Sequence, residues 1–290
     1  MSVSTQLEAP HVSEVFKTGV VKPKGLPKVE ILVPPKGYPQ AVGVAIDYAV
    51  RFGLVGRGLG QPRRLTAESA CRRAAQDPDL EPYRARMERT LREALGVLKA
   101  RPLAGPELPT DAALALFSLT RLDPIYRAGA AFARSALDRE TTVDDVRDLQ
   151  ALYRVVPWEE LRPQRALLLN PTFGEGSVRV GGGDADLVLD DTMIELKTQK
   201  SPTIEKASIN QLVAYALLAN RFGCDPDPQP WRIEQLAVFL TRAGRIVRFP
   251  LKDCLKAPPE TLLNALLDVR KDDDGSGDDD PPLGYDDGSS

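Results

Sequence analysis

Between residues 184 and 198 the chain reads Asp-Ala-Asp-Leu-Val-Leu-Asp-Asp-Thr-Met-Ile-Glu-Leu-Lys-Thr. The residues here that can do chemistry are Asp186, Glu195 and Lys197. The segment reads as two β-strands, 184–189 and 192–198, joined by a tight turn. Side chains alternate along a strand, so Asp184, Asp186 and Val188 share one face of the first, and Glu195 and Lys197 share one face of the second. If Asp190 and Asp191 form a two-residue loop, Leu189 faces Thr192, Asp186 lies opposite Glu195 and Asp184 opposite Lys197. Opposed Cβ atoms sit about 4.5–5.5 Å apart, and like charges at that separation repel. Two such carboxylates need a proton or a cation. A four-residue loop keeps the same faces, whereas a three-residue loop turns the aspartates away from Glu195 and Lys197. Asp-Asp is a weaker tight-turn pair than Asn-Gly or Asp-Gly.

These residue types suit metal-assisted hydrolysis of a phosphodiester. Mg²⁺ takes carboxylate, carbonyl and water oxygens in octahedral geometry. Asp186, Glu195 and the backbone carbonyl of Leu196 can supply the protein ligands, leaving room for water and a phosphate oxygen. A metal so held polarises the phosphodiester and makes bound water more acidic. Lys197, a compact charge, can orient that water or offset charge building on phosphate. Glu-x-Lys on a strand is equally the make-up of a solvated face with a weak cross-strand pair. The full order, with Gly181-Gly182-Gly183, acidic strand, turn and apolar strand, is more specific than either pair alone.

A helix follows at 204–222, opened by Pro202 and Thr203 and stopped by Gly223. Ile204, Ser208, Gln211, Tyr215, Leu218 and Phe222 fall on one side of it. Gln211 and Tyr215 are neighbours four residues apart on a mostly apolar stripe, where a glutamine needs hydrogen-bond partners. A glutamine at a helix border beside a core tyrosine fits the same pattern.

Asp186, then Glu195-Leu196-Lys197, then Gln211-x-x-x-Tyr215, resembles the RecB-type branch of the PD-(D/E)XK nuclease superfamily. The resemblance covers about 174–223, less than a fifth of the chain. It implies an α/β, restriction-endonuclease-like fold, with a mixed sheet core flanked by helices and a large helical insertion. It also implies that the acidic pair binds Mg²⁺ or Mn²⁺, that Lys197 assists the attacking water, and that Gln211 and Tyr215 support the site and contact DNA. Upstream, Gly43-x-x-x-Asp47 is similar to the Gly-x-x-x-His helix of that branch, with aspartate replacing histidine as a hard ligand; Asp47 also reads as an exposed helix residue paired with Arg51 at i+4. The wider pattern, including 169–174 and 182–186, is similar to uncharacterised prokaryotic nuclease-like proteins. Asp184 competes with Asp186 for the ligand role, and Asp186, placed directly before Leu-Val-Leu, is favoured. Glu175 is a further acidic candidate. Repair, mobile-element processing and phage defence are compatible with such a nuclease, as is a helicase or other protein subunit beside it. A non-catalytic DNA- or protein-binding subunit on the same fold is the alternative.

Composition narrows the field. Cys71, Cys224 and Cys254 form no Cys-x-x-Cys or zinc spacing. Three cysteines fall short of the four that hold the iron–sulfur cluster of some RecB-type members, so none is expected. The one histidine is His11, in a segment expected to be loose, which excludes histidine triads. The chain lacks the Gly-x-x-x-x-Gly-Lys-Ser/Thr loop of an ATPase. No apolar run approaches membrane-spanning length and 1–10 lacks a secretory pattern, so cytoplasmic residence is expected. The net charge of −3 conceals an uneven distribution: 271–290 holds eight aspartates and one lysine, and 1–270 holds 37 basic against 33 acidic side chains, a net +4. Arg57, Arg63, Arg64, Arg72 and Arg73 cluster, followed by Arg84, Arg86, Arg89, Arg92, Lys99 and Arg101. On helices these form either a phosphate-tracking stripe, with Arg63, Arg64, Arg72 and Arg73 the nucleic-acid contacts, or a solvated face balanced by nearby acids.

The elements that must position these residues fall into four stretches. Residues 1–38, rich in Pro, Lys and Val, read as an extended arm with one strand at 29–33. Residues 39–165 are mostly helical and belong to the nuclease domain, with helices at 39–54, 65–76, 80–100, 111–119, 122–138 and 143–155. Residues 166–270 form the core, with strands at 177–189, 192–198, 235–241 and 245–249 and a last helix at 258–269. Residues 271–290 read as a disordered acidic tail. There is no internal repeat.

Overall fold

The computed structural model describes residues 3–61, 65–225 and 231–268. Its helices are α1 (Val3–Glu8), α2 (Pro10–Gly19), α3 (Pro39–Gly56), α4 (Thr66–Ala74), α5 (Glu81–Ala100), α6 (Thr110–Thr120), α7 (Asp123–Ala128), α8 (Ala133–Asp138), α9 (Val143–Arg154), α10 (Glu175–Arg179), α11 (Lys206–Phe222) and α12 (Pro259–Leu267). Its strands are β1 (Leu167–Leu169), β2 (Leu187–Leu189), β3 (Thr192–Lys197), β4 (Gln235–Leu240) and β5 (Arg245–Pro250). They form one mixed sheet in the order β1-β2-β3-β4-β5. The first three strands are antiparallel, β4 joins β3 in parallel after the α11 crossover, and β5 returns antiparallel.

Alternation along the strands separates two cores. Leu187, Leu189, Ile194, Ala237, Phe239 and Ile246 pack with the apolar faces of α3 to α9. Val188, Met193, Leu236, Val238, Val247 and Phe249 pack with α1, α2, α11 and α12. The protein is therefore an α/β fold, with helices on both faces of a five-stranded sheet.

One buried ion pair ties the layers together. Arg242, in the turn between β4 and β5, makes a two-pronged contact with Asp148 of α9, both N···O distances being 2.9 Å. The two side chains are 1% and 0% exposed. Asp148 Oδ2 also accepts the Lys36 and Gly37 N–H groups, each at 3.1 Å. One turn earlier on α9, Asp145 accepts the Tyr38 N–H at 2.7 Å. Tyr38 is the N-cap of α3, so α9 fixes where α3 begins. Asp145 also forms the reciprocal cap with Thr142 that starts α9.

Several sequence expectations are corrected. Residues 3–19 are two helices, not an extended arm, and His11 lies in α2. Val3, Val12 and Phe16 are fully buried against the α11 and α12 layer, an apolar set that the Pro- and Lys-rich composition conceals. Residues 29–33 form no strand; the Leu32 and Val33 N–H groups instead donate to the Arg242 carbonyl. The stretch 122–138 is broken into α7 and α8 at Gly129, whose φ of +73° no continuing helix can accept. Strand β1, not anticipated, pairs with β2, while 175–179 is helical rather than extended. There the Ser177 hydroxyl folds the chain back, accepting the Phe173 N–H at 2.8 Å and donating to the Gly183 carbonyl at 2.6 Å. The acidic tail, like Arg63 and Arg64, lies outside the described residues. Among the described residues, no helix is long and apolar enough to cross a membrane.

Removing one partner of a buried ion pair strands the other charge. Arg242→Met should therefore destabilise the protein by about 3–5 kcal/mol in denaturant unfolding. Burial pushes the Asp148 carboxyl up, but Arg242 and the Gly37 and Lys36 N–H groups outweigh it and leave the carboxyl below its usual range. The stability from this lowered value is present above the unfolded-state value and is lost as pH falls through the folded one. The gap between wild type and Arg242→Met should accordingly narrow in acid; a gap constant with pH would assign the loss to packing alone.

Candidate active site

The site is assembled at the β2–β3 hairpin. The turn has two residues, with Leu189 facing Thr192, Val188 facing Met193 and Leu187 facing Ile194. Asp190 adopts φ +56°, which aspartate tolerates better than most residues. Its carboxylate accepts the N–H groups of Gln164, Arg165 and Ala166, and its own N–H donates to the Ala166 carbonyl. The turn is thus anchored to the chain entering β1.

Val188 and Met193 face the α11 layer, so Asp186, two residues before Val188, and Glu195 and Lys197, two and four residues after Met193, belong to the α11 face too. The expected strand at 184–189 is shorter, however. Beyond Leu187 the chain stays with the β1 side and leaves β3: the Asp186 carbonyl accepts the Asn170 N–H at 2.8 Å, and Asp184 forms a bridge with Thr172. Asp184 is therefore not paired opposite Lys197. The Asp186 carboxylate takes up the gap, with Oδ2 accepting the Leu196 N–H at 2.6 Å.

From there the polar groups form a chain. Lys197 Nζ donates to Glu195 Oε1 at 2.9 Å and to Gln211 Oε1 at 3.3 Å. Gln211 Nε2 donates in turn to the Tyr215 hydroxyl at 3.0 Å. The half-buried glutamine amide finds a partner at each end. The Tyr215 ring packs on Phe173 with centroids 5.3 Å apart, which holds α11 against the loop after β1.

Helix α3 reaches the same place from the other layer. A Cβ at Gly43 would come within 3.9 Å of the Thr198 Cβ, just past the end of β3. One turn on, Asp47 is paired with Arg51, as the i+4 spacing allows, but it is not a fully exposed helix residue; its side chain is 21% exposed and that of Arg51 only 7%. Asp47 Oδ1 and Arg51 Nε and Nη1 are buried without hydrogen-bond partners.

The electrostatics are those of crowded acids. Burial raises the Asp186 carboxyl well above the usual carboxylate range, and the charges of Glu195 and Asp47 raise it further, against the Leu196 N–H and Arg51. Burial also raises Glu195, with Lys197 opposing and Asp184 and Asp47 adding. Asp47 is raised by burial, with Arg51 opposing and Asp184 adding. Lys197 and Arg51 thus do not balance the cluster. Behind it, the Tyr48 hydroxyl donates to Asp123 Oδ1 at 2.7 Å, and burial pushes Asp123 up to about 6. This Tyr48–Asp123 contact joins α3 to α7 and was not readable from the sequence; the Gly43-x-x-x-Asp47 pattern and the i,i+4 spacing of Asp47 and Arg51 were the signals pointing to that region.

Other candidates fall elsewhere. Glu175 begins α10, pairs with Arg179 and is 73% exposed. Arg57 is a structural residue: it stacks 3.6 Å from the Trp158 ring centroid and donates to the Leu103 and Gly105 carbonyls. Arg72 bonds to Ser69 on the surface of α4, and Arg73 donates to the Tyr126 carbonyl of α7.

All potential metal donors here are hard oxygens, and Asp186 is raised first by burial and then by the charges of Glu195 and Asp47, so its carboxyl calls for a proton or a cation. Among the described residues, no three acidic, histidine or cysteine side chains are gathered as a ready cage. Mg²⁺ does not require one, since one or two carboxylates with water and substrate phosphate suffice. Asp186 and Glu195 fit that need; Asp47 would have to leave Arg51. Set against family models, curated proteins and solved structures, the chain matches none.

A raised carboxyl contributes stability that is present below its unfolded value, about 3.9 for aspartate, and is lost as pH rises through the folded value. At neutral pH, in chelator, Asp186→Asn should therefore raise Tm, by about 2–4 °C per kcal/mol recovered, and the gain should vanish near pH 4. Saturating Mn²⁺ should raise the Tm of wild type and not that of Asp186→Asn. Because asparagine keeps an oxygen that can accept the Leu196 N–H, a less stable Asp186→Asn at neutral pH would show that the carboxylate charge is favourable where it sits and would overturn the raised value.

Proposed function

We propose that this chain is a metal-dependent nuclease that hydrolyses DNA phosphodiester bonds, of the RecB-type PD-(D/E)XK class, on a restriction-endonuclease-like core. The observation that carries the reading is the hydrogen-bonded chain Glu195, Lys197, Gln211 and Tyr215 running from the sheet to α11, with the Asp186 carboxylate beside it on the Leu196 N–H. A solvated Glu-x-Lys pair does not account for it, because Glu195 is only 6% exposed and Lys197 is drawn towards α11. The mixed sheet with helices on both faces supports the fold assignment.

Asp186, Glu195 and the Leu196 carbonyl would hold Mg²⁺ or Mn²⁺, with Asp47 a further oxygen. Bound there, the cation would polarise the phosphodiester and acidify a water molecule. Glu195 orients Lys197 through their direct hydrogen bond, and Gln211 restrains the ammonium from the other side. The ammonium is then held where it can steer a water or meet charge developing on phosphate. Tyr215, buried and raised by burial and by the nearby Glu195 charge, stays a neutral phenol that keeps the Gln211 amide in one orientation.

Purified protein incubated with linear and circular DNA, single and double stranded, should cleave in Mg²⁺ or Mn²⁺ and not in EDTA. Glu195→Gln and Lys197→Ala should each lose about 10²-fold or more in rate. Gln211→Ala should lose less, because it acts through Lys197. A folded wild type that binds DNA and cleaves none of these substrates would assign the chain to a binding subunit.

A further inference from the structure

The nuclease reading leaves open how a strand reaches the carboxylates, and one surface of the helical layer bears on that. Tyr126 near the end of α7 is 45% exposed, and Phe132, just past the kink, is 52% exposed. The kink between them turns at Gly129, against which the Arg73 guanidinium of α4 lies. Arg73 Nη1 donates to the Tyr126 carbonyl at 2.8 Å, and the Phe132 N–H donates to the Gly129 carbonyl at 3.3 Å, so the kink brings the backbones of both aromatic residues to this arginine.

The surface carries positive charge, part of it paired: Arg139 lies 3.6 Å from Asp145 and Arg73 3.6 Å from Asp77. Residues 121–139 hold four arginines and two aspartates. Asp123 is buried beneath Tyr48, and Asp138 is held by Arg86. Arg127 and Arg134 are exposed, and among the described residues neither is paired with a carboxylate. The patch is tied to the acidic cluster through the frame: Arg127 lies on α7, whose Asp123 accepts the Tyr48 hydroxyl of α3 at 2.7 Å, next to Asp47 in the chain.

We infer that Tyr126 and Phe132, flanked by Arg73, Arg127 and Arg134, form a binding platform for single-stranded nucleic acid that leads to Asp186 and Glu195. Exposed rings offer stacking faces to bases, the unpaired guanidinium groups of Arg127 and Arg134 meet the phosphates, and Arg73, paired with Asp77, fixes the Tyr126 backbone. A duplex hides its base faces and cannot use the rings. The direction of the strand towards the carboxylates rests on the nuclease reading; the binding itself does not.

The test uses full-length Glu195→Gln protein in chelator, so that no cleavage intervenes, and follows the anisotropy of labelled oligothymidylate, of an abasic strand of equal length and of a duplex. Tyr126→Ala and Phe132→Ala should each weaken oligothymidylate binding by about tenfold with an unchanged Tm, and Phe132→Trp should restore it. The abasic strand should bind weakly to all of these proteins alike. Arg127→Ala should lower the salt slope for the strand by about 0.7. Wild-type affinity in both alanine variants, equal affinity for the abasic strand, stronger binding of the duplex, or no binding of any of them would overturn the platform. Aromatic-dependent binding in a protein that never cleaves would sink only the nuclease reading.

Discussion

Everything at the site depends on the register of β2 against β3. A slip of one residue would carry Glu195 and Lys197 to the opposite face of the sheet, into the apolar core beneath α3 and α6. Apolar pattern alone gives little protection, because β2 is buried on both sides and Leu187, Val188 and Leu189 fit either core. The register is held instead by polar contacts at both ends of the strand. At the turn, Asp190 gathers the three N–H groups of 164–166. At the far end, Asp186 is gripped from two directions, its carbonyl by Asn170 and its carboxylate by Leu196. The group proposed for catalysis is thus also a register pin.

The second requirement is that two layers meet at one point. Glu195, Lys197 and Gln211 come from the sheet and α11, whereas Asp47 and Arg51 come from α3 on the other face. The helix α9 connects them: its Asp148 holds Arg242 of the β4–β5 turn, and its Asp145 holds the N-terminus of α3. Acids one turn apart on one helix thereby tie the sheet to the start of the helix that carries Asp47. Tyr48 and Asp123 then lock α3 to α7. A buried ion pair adds little net stability compared with apolar residues of similar shape. Its contribution here is positional, since apolar contacts would let α3 slide along its axis.

How much of this was legible follows from the range of each interaction. The β2–β3 turn, the shared face of Glu195 and Lys197, the Gln211–Tyr215 neighbourhood and the Asp47–Arg51 pair all arise between residues fewer than a dozen positions apart, where strand and helix periods govern. Lys197 to Gln211, Arg242 to Asp148 and Tyr48 to Asp123 are long-range and leave no periodic trace. Helix α2 was missed because its burial depends on α12, more than 200 residues away, while its composition suggests an arm. Strand β1 was missed because three leucines carry no alternation. Residue Asp184 was misplaced because strand reasoning assumes that pairing continues, and here the chain follows β1 instead.

The charge balance separates a catalytic reading from a structural one. A network kept only for stability should be neutral, because each buried carboxylate without a partner costs free energy. The Arg242–Asp148 pair meets that rule, with backbone N–H groups completing it. The site does not. Asp47, Asp186 and Glu195 are raised, first by burial and then by neighbouring acids, while Arg51 and Lys197 pair directly with only Asp47 and Glu195. Arg51 keeps buried donors unmatched while Asp47 keeps an unmatched acceptor, so even the near partners do not satisfy each other fully. A proton relieves such crowding in a scaffold, whereas under the proposed nuclease reading a hard divalent cation does, so the two readings differ in what the carboxylates hold and not in the frame that places them.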